Sequence, residues 1–326
     1  MLGFIYSQLF KSLPFPSGSY AGKTIVVTGS NVGLGKEAAR HFARLGASKL
    51  ILATRSLDKG RAAKEDIEAT TNCAKDVIEV WELDMSKYAS VQKFASRLRT
   101  GLERVDIFIA NAGVAHPTFK RAEEDEETIT VNVVSTFLLM ALVLPKMKET
   151  AAKFNTRPTF TITSSEVHAW TPFEERNAPD GEIFNTINEK ASRPSEDVSN
   201  LYLLSKLFEV FGVRTFAELH PASKYPVTVN NVNPGLCHSE LARDMDTWTM
   251  WLMKRFLART TECGSRNLVY AGSAGAESHG HYISDCAVAK PSRFVRSAEG
   301  KEAQDRVWNE LVQKLDDIQP GVMSKI

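Results

Sequence analysis

The chain has 326 residues, 43% of them apolar, enough for one large α/β domain or two smaller ones with a substantial core. Its net charge is +1 and no long basic block is present, so composition offers no electrostatic case for nucleic acid as a partner. Cys73, Cys237, Cys263 and Cys286 lie far apart with no C-x-x-C pair, which reads as reduced thiols of a cytoplasmic protein and implies no zinc site.

Met1 to Phe10, MLGFIYSQLF, is apolar but gives way to Lys11, Pro14 and Pro16, well short of the roughly 20 residues that span a bilayer. It has neither the basic start nor the small-residue cleavage site of a secretory signal. Residues 1–22 are therefore expected to pack on the domain, with weak contact to a membrane surface as the alternative. Thr24 to Thr28 is a β-branched run suited to a strand buried on both faces, and it leads into Gly29, Gly33 and Gly35. Lys36 to Gly46 then reads as a helix. Strand, glycine turn and helix together aim free backbone N–H groups and a positive helix end at a phosphate. Gly29, Ser30, Asn31, Gly33, Leu34 and Gly35 are the expected cradle. The spacing, Thr-Gly-x3-Gly-x-Gly, is neither G-x-G-x-x-G nor a P-loop, and Lys36 is misplaced for a P-loop lysine.

Beyond this unit, strand-like and helix-like segments alternate. Strands are expected at Lys49 to Thr54, Val77 to Leu83, Val105 to Ala110, Thr159 to Thr163 and Val227 to Val232, with a seventh near Tyr282. Helices are expected at Leu57 to Ala69, Tyr88 to Leu102, Glu126 to Glu149, Asn200 to Leu219, Glu262 to Gly272 and Glu299 to Leu315. The pattern predicts a doubly wound parallel sheet of the Rossmann type, about seven strands in three α/β/α layers, in one domain over 23–326. Ligands of such a sheet lie at the carboxyl ends of its strands. Those ends carry Thr28 to Asn31, Ala53 to Ser56, Leu83-Asp84-Met85, Asn111-Ala112-Gly113, Ser164-Ser165 and Asn233-Pro234-Gly235. After the second strand an acidic residue would favour NAD(H) by binding the ribose; Arg55 stands there instead and favours NADP(H), although Asp58 is near enough to blunt it. Asp84, with Met85 beside it, is a candidate acceptor for the adenine amino group.

Tyr202-Leu203-Leu204-Ser205-Lys206 places a phenol and an ammonium one helical turn apart, on one face. A nearby Lys⁺ and a positive nicotinamide would both favour the phenolate, so Tyr202 could exchange a proton with an alcohol or carbonyl oxygen. The seven histidines form no H-E-x-x-H cluster, and His279 and His281 read as surface or core.

The order of these motifs resembles the short-chain dehydrogenase/reductase family from about Lys23 to Tyr282. The glycine turn, Asn111-Ala112-Gly113, Asn132, Ser165, Tyr202-x3-Lys206 and Asn233-Pro234-Gly235 occur in the family's sequence. The resemblance implies that Tyr202 is the general acid/base, that Ser165 binds the reacting oxygen, and that Lys206 holds the nicotinamide ribose and lowers the tyrosine's pKa. It implies that Asn132 fixes a water in a proton relay, that Asn111, Ala112 and Gly113 line the adenosine side, and that Pro234, Gly235, Leu236 and Ser239 embrace the nicotinamide and pyrophosphate. The 166–199 interval is longer than in compact members and looks like the insertion of retinol-dehydrogenase-like relatives, including fungal ones. Glu166 and His168 within it have either a pocket-facing or a structural role. Leu241 to Leu257, within 239–258, gathers Trp248, Met250, Trp251, Leu252, Met253 and Phe256 and is expected to form an apolar lid, or else a dimer or membrane face. The expectation is an NADP(H)-dependent oxidoreductase acting on a lipophilic ketone, aldehyde or alcohol, with a homodimer possible. A cofactor-binding regulatory or scaffold protein and an epimerase or dehydratase remain as alternatives.

Overall fold

A computed structural model describes residues 2–193, 198–238, 255 and 257–326. Strands β1 (Thr24–Thr28), β2 (Lys49–Thr54), β3 (Ile78–Glu82) and β4 (Ile107–Ala110) alternate with helices α2 (Gly33–Arg44), α3 (Leu57–Thr71) and α4 (Tyr88–Gly101). A preceding helix, α1 (Leu2–Phe10), and a two-residue hairpin, β5 (Arg121–Ala122) with β6 (Asp125–Glu126), were not anticipated from the sequence. A continuous helix follows, made of α5 (Glu127–Ile129), a π turn at Thr130–Val134 and α6 (Ser135–Phe154). Then come β7 (Thr159–Thr163), α7 (Ile183–Ala191), α8 (Ser199–Leu219), β8 (Thr228–Asn233), α9 (Thr261–Ser273), β9 (Tyr282–Ser284), β10 (Ala287–Ala289) and α10 (Ala298–Ile318).

The sheet has eight strands in the order β10-β9-β8-β7-β4-β1-β2-β3, parallel except for β10, which returns antiparallel on β9. The eighth strand escaped the sequence reading because its turn, Asp285-Cys286, carries no glycine. Both residues nonetheless take positive φ, 52° and 55°, the backbone of a primed hairpin turn. Chain order reverses between β1 and β4, and the crevice outside their carboxyl ends is the place for a ligand.

Alternation along each strand sends its side chains to two separate cores. Val26, Ile51, Phe108 and Phe160 face α4, α6, α8 and α10, whereas Ile25, Leu50, Leu52 and Ile109 face α2, α3 and α9. The Glu127–Phe154 helix is long and apolar enough to cross a membrane, but 89% of its most apolar window is buried in the fold. Its face and that of α8 are covered within the chain: α10 lies across α8, with Trp308 edge-on to Phe137 at 6.2 Å and Gln304 accepting from Arg214 at 3.0 Å. Helices α6 and α8 meet so closely that a Cβ on Gly212 would stand 2.2 Å from Phe137 Cζ.

Candidate active site

The carboxyl ends of the parallel strands open into a cleft of about 610 Å³. At one side, α2 begins at Gly33 without a side-chain cap: its N-cap, Val32, offers no acceptor. By contrast α3, α9 and α10 are capped by Ser56, Thr260 and Ser297. The first N–H groups of α2 thus face the cleft unsatisfied, with the positive end of the helix dipole behind them, and fit a pyrophosphate. Gly33 has φ +60° with open space where a Cβ would project. Gly35 has a different task and does not line the cleft; a Cβ there would stand 2.5 Å from Gly29 O and 2.6 Å from Asn111 Nδ2, so only glycine lets α2 close on the loops. Ser30, expected in the cradle, turns inward, fully buried, and donates to Val27 O at 2.9 Å. Gly29, Asn31, Gly33 and Leu34 do line the cleft.

Thr28 pins the loop after β4: its Oγ1 accepts from the N–H groups of Asn111 (3.0 Å) and Ala112 (2.9 Å). Asn111 Nδ2 donates back to Thr28 O at 3.0 Å, joining the two strand ends at the reversal point. At the end of β2, Arg55 and Lys59 both line the cleft beside Ser56. Asp58 is not among the lining residues and pairs with Arg61. Asp84 and Met85 lie along the next strand end. Burial raises the Asp84 carboxyl, but hydrogen bonds from Ser86 Oγ (2.7 Å) and N–H (3.1 Å), together with the nearby Lys87 and Arg55 cations, outweigh that and hold it below its ordinary value.

Opposite stand Ser165, Tyr202 and Lys206. Ser165 follows β7 and opens a 3-10 turn, its Oγ accepting from Val167 N–H at 3.4 Å. Lys206 Nζ lies 5.5 Å from the centre of the Tyr202 ring and donates to Thr163 O at 2.9 Å and to Glu209 Oε1 at 2.7 Å. Glu209 is a finding of the structure. It sits one turn beyond Lys206 with both side chains buried, and burial pushes its carboxyl up to about 7 against the pull of Lys206. Lys206 does favour the phenolate as expected, but burial acts more strongly, and Glu209 adds to it. Tyr202 is therefore held above its ordinary value.

Asn132 occupies the π turn, a helix defect common at functional sites. Its side chain is buried behind the cleft surface: Oδ1 accepts from Val114 N–H at 2.9 Å, and Nδ2 donates to Val114 O and Ser205 Oγ, each at 3.0 Å. It thereby ties the loop after β4 to α8. A Cβ on Gly113 would come 3.2 Å from Asn132 Oδ1 and 3.8 Å from Lys206 Nζ, which accounts for the glycine. The Asn233-Pro234-Gly235 loop is set by Asn233 Oδ1, which accepts from the N–H groups of Gly235 (3.0 Å) and Glu166 (3.2 Å). Pro234, Gly235 and Leu236 line the cleft; Ser239 and the apolar stretch to residue 254 lie outside the described residues.

His168 is structural. Its Nε2 accepts from Ser292 N–H at 3.0 Å, so Nδ1 carries the proton to Ser165 O at 2.7 Å, and burial lowers its pKa and keeps it neutral. Glu166 lines the cleft, where burial raises its carboxyl against a hydrogen bond from Tyr282. His279 lies in the core, accepting from Val229 N–H at 3.1 Å. No metal-binding cluster of His, Cys, Asp and Glu occurs among the described residues. The sequence reading also missed Phe4 from α1 and a polar cluster on the cleft wall, where His116 Nε2 and Lys120 Nζ lie 3.0 and 2.5 Å from buried Glu127 Oε2.

Residues 23–154 match the family model described as short chain dehydrogenase. The chain is 67% identical over 324 residues to short chain dehydrogenase/reductase dmxR8 of Cryptosporiopsis sp. (strain 8999), covering 99% of both proteins. It is 38% identical to short-chain dehydrogenase anuD of Penicillium roqueforti (strain FM164), over 98% of this chain and 84% of that one. Among solved structures, a putative uncharacterized protein from Mycobacterium paratuberculosis superposes with a TM-score of 0.66 at 24% identity, covering 92% of this chain and 95% of the other. With the glycine turn, the serine, the tyrosine and the lysine arranged around one cleft, the chain belongs to the short-chain dehydrogenase/reductase family of oxidoreductases.

Proposed function

We propose that this chain is an NADP(H)-dependent oxidoreductase that interconverts a ketone or aldehyde and an alcohol on a lipophilic small molecule. The observation that carries the reading is the convergence of Ser165, Tyr202 and Lys206 on the cleft into which the uncapped end of α2 points. Bound nicotinamide would supply or take up a hydride at the substrate carbon. The chain's own residues do the rest. Ser165 Oγ and Tyr202 Oη form a pair of hydroxyls for the substrate oxygen, and as negative charge grows there the phenol gives its proton to that oxygen. Lys206, fixed by Thr163 O and Glu209, presents its ammonium beside the phenol, placed to hold the ribose. Arg55 and Lys59, two cations on the cleft wall against the single nearby carboxylate of Asp84, would hold a ribose 2′-phosphate, which is the basis for NADP(H) over NAD(H). Val114, Val167, Trp170 and Leu236 make the cleft apolar near the serine, which favours a lipophilic substrate. Four free thiols fit the reducing cytoplasm, where NADPH is available.

Fluorescence titration of the purified protein with NADPH and NADH, then turnover of a panel of aldehydes and ketones followed by loss of reduced-cofactor absorbance, tests the reading. Tighter binding of NADPH and oxidation of it by any lipophilic carbonyl is the expected result. Binding of neither cofactor would overturn it.

A further inference from the structure

The helix α1 precedes the part of the chain that matches the family model, yet it is bonded directly to the loop after β8. Gln8 is buried, and every polar atom of its side-chain amide is used. Its Nε2 donates to Leu236 O and Leu257 O, both at 2.9 Å, and its Oε1 accepts from Leu236 N–H at 3.3 Å. Gly235 makes room for it: a Cβ there would stand 2.5 Å from Gln8 Oε1. The same junction is braced by Arg259, whose Nη2 donates to Ser7 O at 2.6 Å and pairs with Asp285 at 2.9 Å, while Ser7 Oγ donates to Asp285 at 2.7 Å. One turn earlier on α1, Phe4 reaches the cleft and meets Trp170 edge-on, ring centres 5.9 Å apart. Trp170 ends the short turn that begins at Ser165, and 48% of its surface remains open.

From this arrangement we infer that α1 is a working part of the site. Gln8 is a positioning residue for the Pro234–Cys237 loop, and Phe4 with Trp170 forms an apolar wall that selects substrates carrying a flat, apolar ring body next to the reacting carbonyl. The physical basis is economy of shape: an edge-to-face aromatic pair offers a rigid surface to a planar ring, whereas a small aliphatic carbonyl would touch little of it. Gln8 acts through the loop and not on the substrate. Its three hydrogen bonds require both a donor and an acceptor, so a carboxylate cannot replace it. This inference rests on the oxidoreductase reading.

The test uses the full chain and the variants Phe4→Ala, Trp170→Ala, Gln8→Ala and Gln8→Glu, each checked for an unchanged circular dichroism spectrum. NADPH affinity is read by fluorescence titration. Affinity of the NADP⁺ complex for a flat ketone, 9,10-phenanthrenequinone, and for a small one, 2,3-butanedione, is read by calorimetry, which needs no turnover, and KM and kcat are read where turnover occurs. The wall variants are expected to weaken the flat ketone about tenfold, leaving the small ketone and NADPH within about twofold. Both Gln8 variants are expected to weaken NADPH several-fold and to lower kcat for the two ketones alike. Equal affinities for the flat ketone in the wild type and both wall variants, or equal losses for both ketones, would overturn the wall. Unchanged NADPH affinity and kcat in both Gln8 variants would overturn the positioning role. Failure of the wild-type chain to bind NADPH would instead overturn the oxidoreductase reading, and this inference with it.

Discussion

Replacing Glu209 by glutamine separates the charge of the Lys206–Glu209 pair from its shape. The amide keeps an oxygen where Oε1 accepts from Lys206 at 2.7 Å but carries no charge and does not titrate. In the native chain the carboxyl is displaced upward from 4.5 to about 7. Its folded pKa lies above its unfolded one, so between those values the folded state holds a proton that the unfolded state has released. The stabilisation this gives is complete below pH 4.5 and is lost as pH rises through about 7. The displacement corresponds to about 3 kcal/mol of stability lost between pH 4 and pH 8. Glu126, whose carboxyl burial also pushes to about 7, adds a similar slope, but it is common to both proteins and cancels in the difference. Urea unfolding of wild type and Glu209→Gln at pH 5 and pH 8 should therefore show the wild type losing up to about 3 kcal/mol more across that range. A second consequence is catalytic. With the carboxylate gone, Lys206 acts unopposed on Tyr202, the phenol becomes easier to ionise, and alcohol oxidation should reach its plateau at lower pH than in the wild type. Equal pH dependence of stability together with an unmoved oxidation profile would refute this reasoning.

Removing both cations at the end of β2, in Arg55→Ala with Lys59→Ala, should weaken NADPH by about ten- to a hundredfold and leave NADH nearly unchanged in parallel fluorescence titrations, as expected for lost charge-assisted contacts. In Gly35→Ala the new methyl would collide with Gly29 O and Asn111 Nδ2, and a rigid backbone cannot yield cheaply. A loss of about 1–3 kcal/mol in urea unfolding and NADPH binding weakened more than tenfold are expected. Gly212→Ala drives a similar overlap into Phe137, away from the cleft. It should cost about 1–3 kcal/mol of stability with NADPH affinity preserved, so the two glycines distinguish packing from ligand approach. Because α10 already covers α8, sedimentation of the chain should give no dimer that is abolished by a charge placed on α6 or α8.

What the sequence made legible was what local chemistry determines. Strands β2 and β7 run over the residues expected of them, Lys49–Thr54 and Thr159–Thr163, buried along nearly their whole length as strands covered on both faces are. The glycine turn was readable because each glycine answers a steric demand. Helix α2 nevertheless starts at Gly33, three residues before the expected Lys36, because the glycines themselves form its first turn. Contacts between distant segments were not legible. Ser30 sits within the glycine turn, and only the fold shows that its hydroxyl bonds back to Val27 O. The raised Tyr202 pKa depends on burial and on Glu209, a residue that looks like one more charge on a helix until its neighbours are placed around it. Gln8 and Phe4 lie in a segment whose composition says only that it is apolar, while the partners that define them, Leu236, Leu257 and Trp170, are far along the chain.

The central claim is that Tyr202 gives a proton to a carbonyl oxygen as the nicotinamide reduces it. A single-turnover experiment tests it most directly: protein in excess over NADPH is mixed with a lipophilic ketone that the wild type reduces, the loss of reduced-cofactor absorbance is timed, and NADPH binding is titrated on the same samples. Tyr202→Phe should bind NADPH as the wild type does and oxidise it about a hundred to ten thousand times more slowly. Oxidation at the wild-type rate by a variant that still binds NADPH would contradict the account.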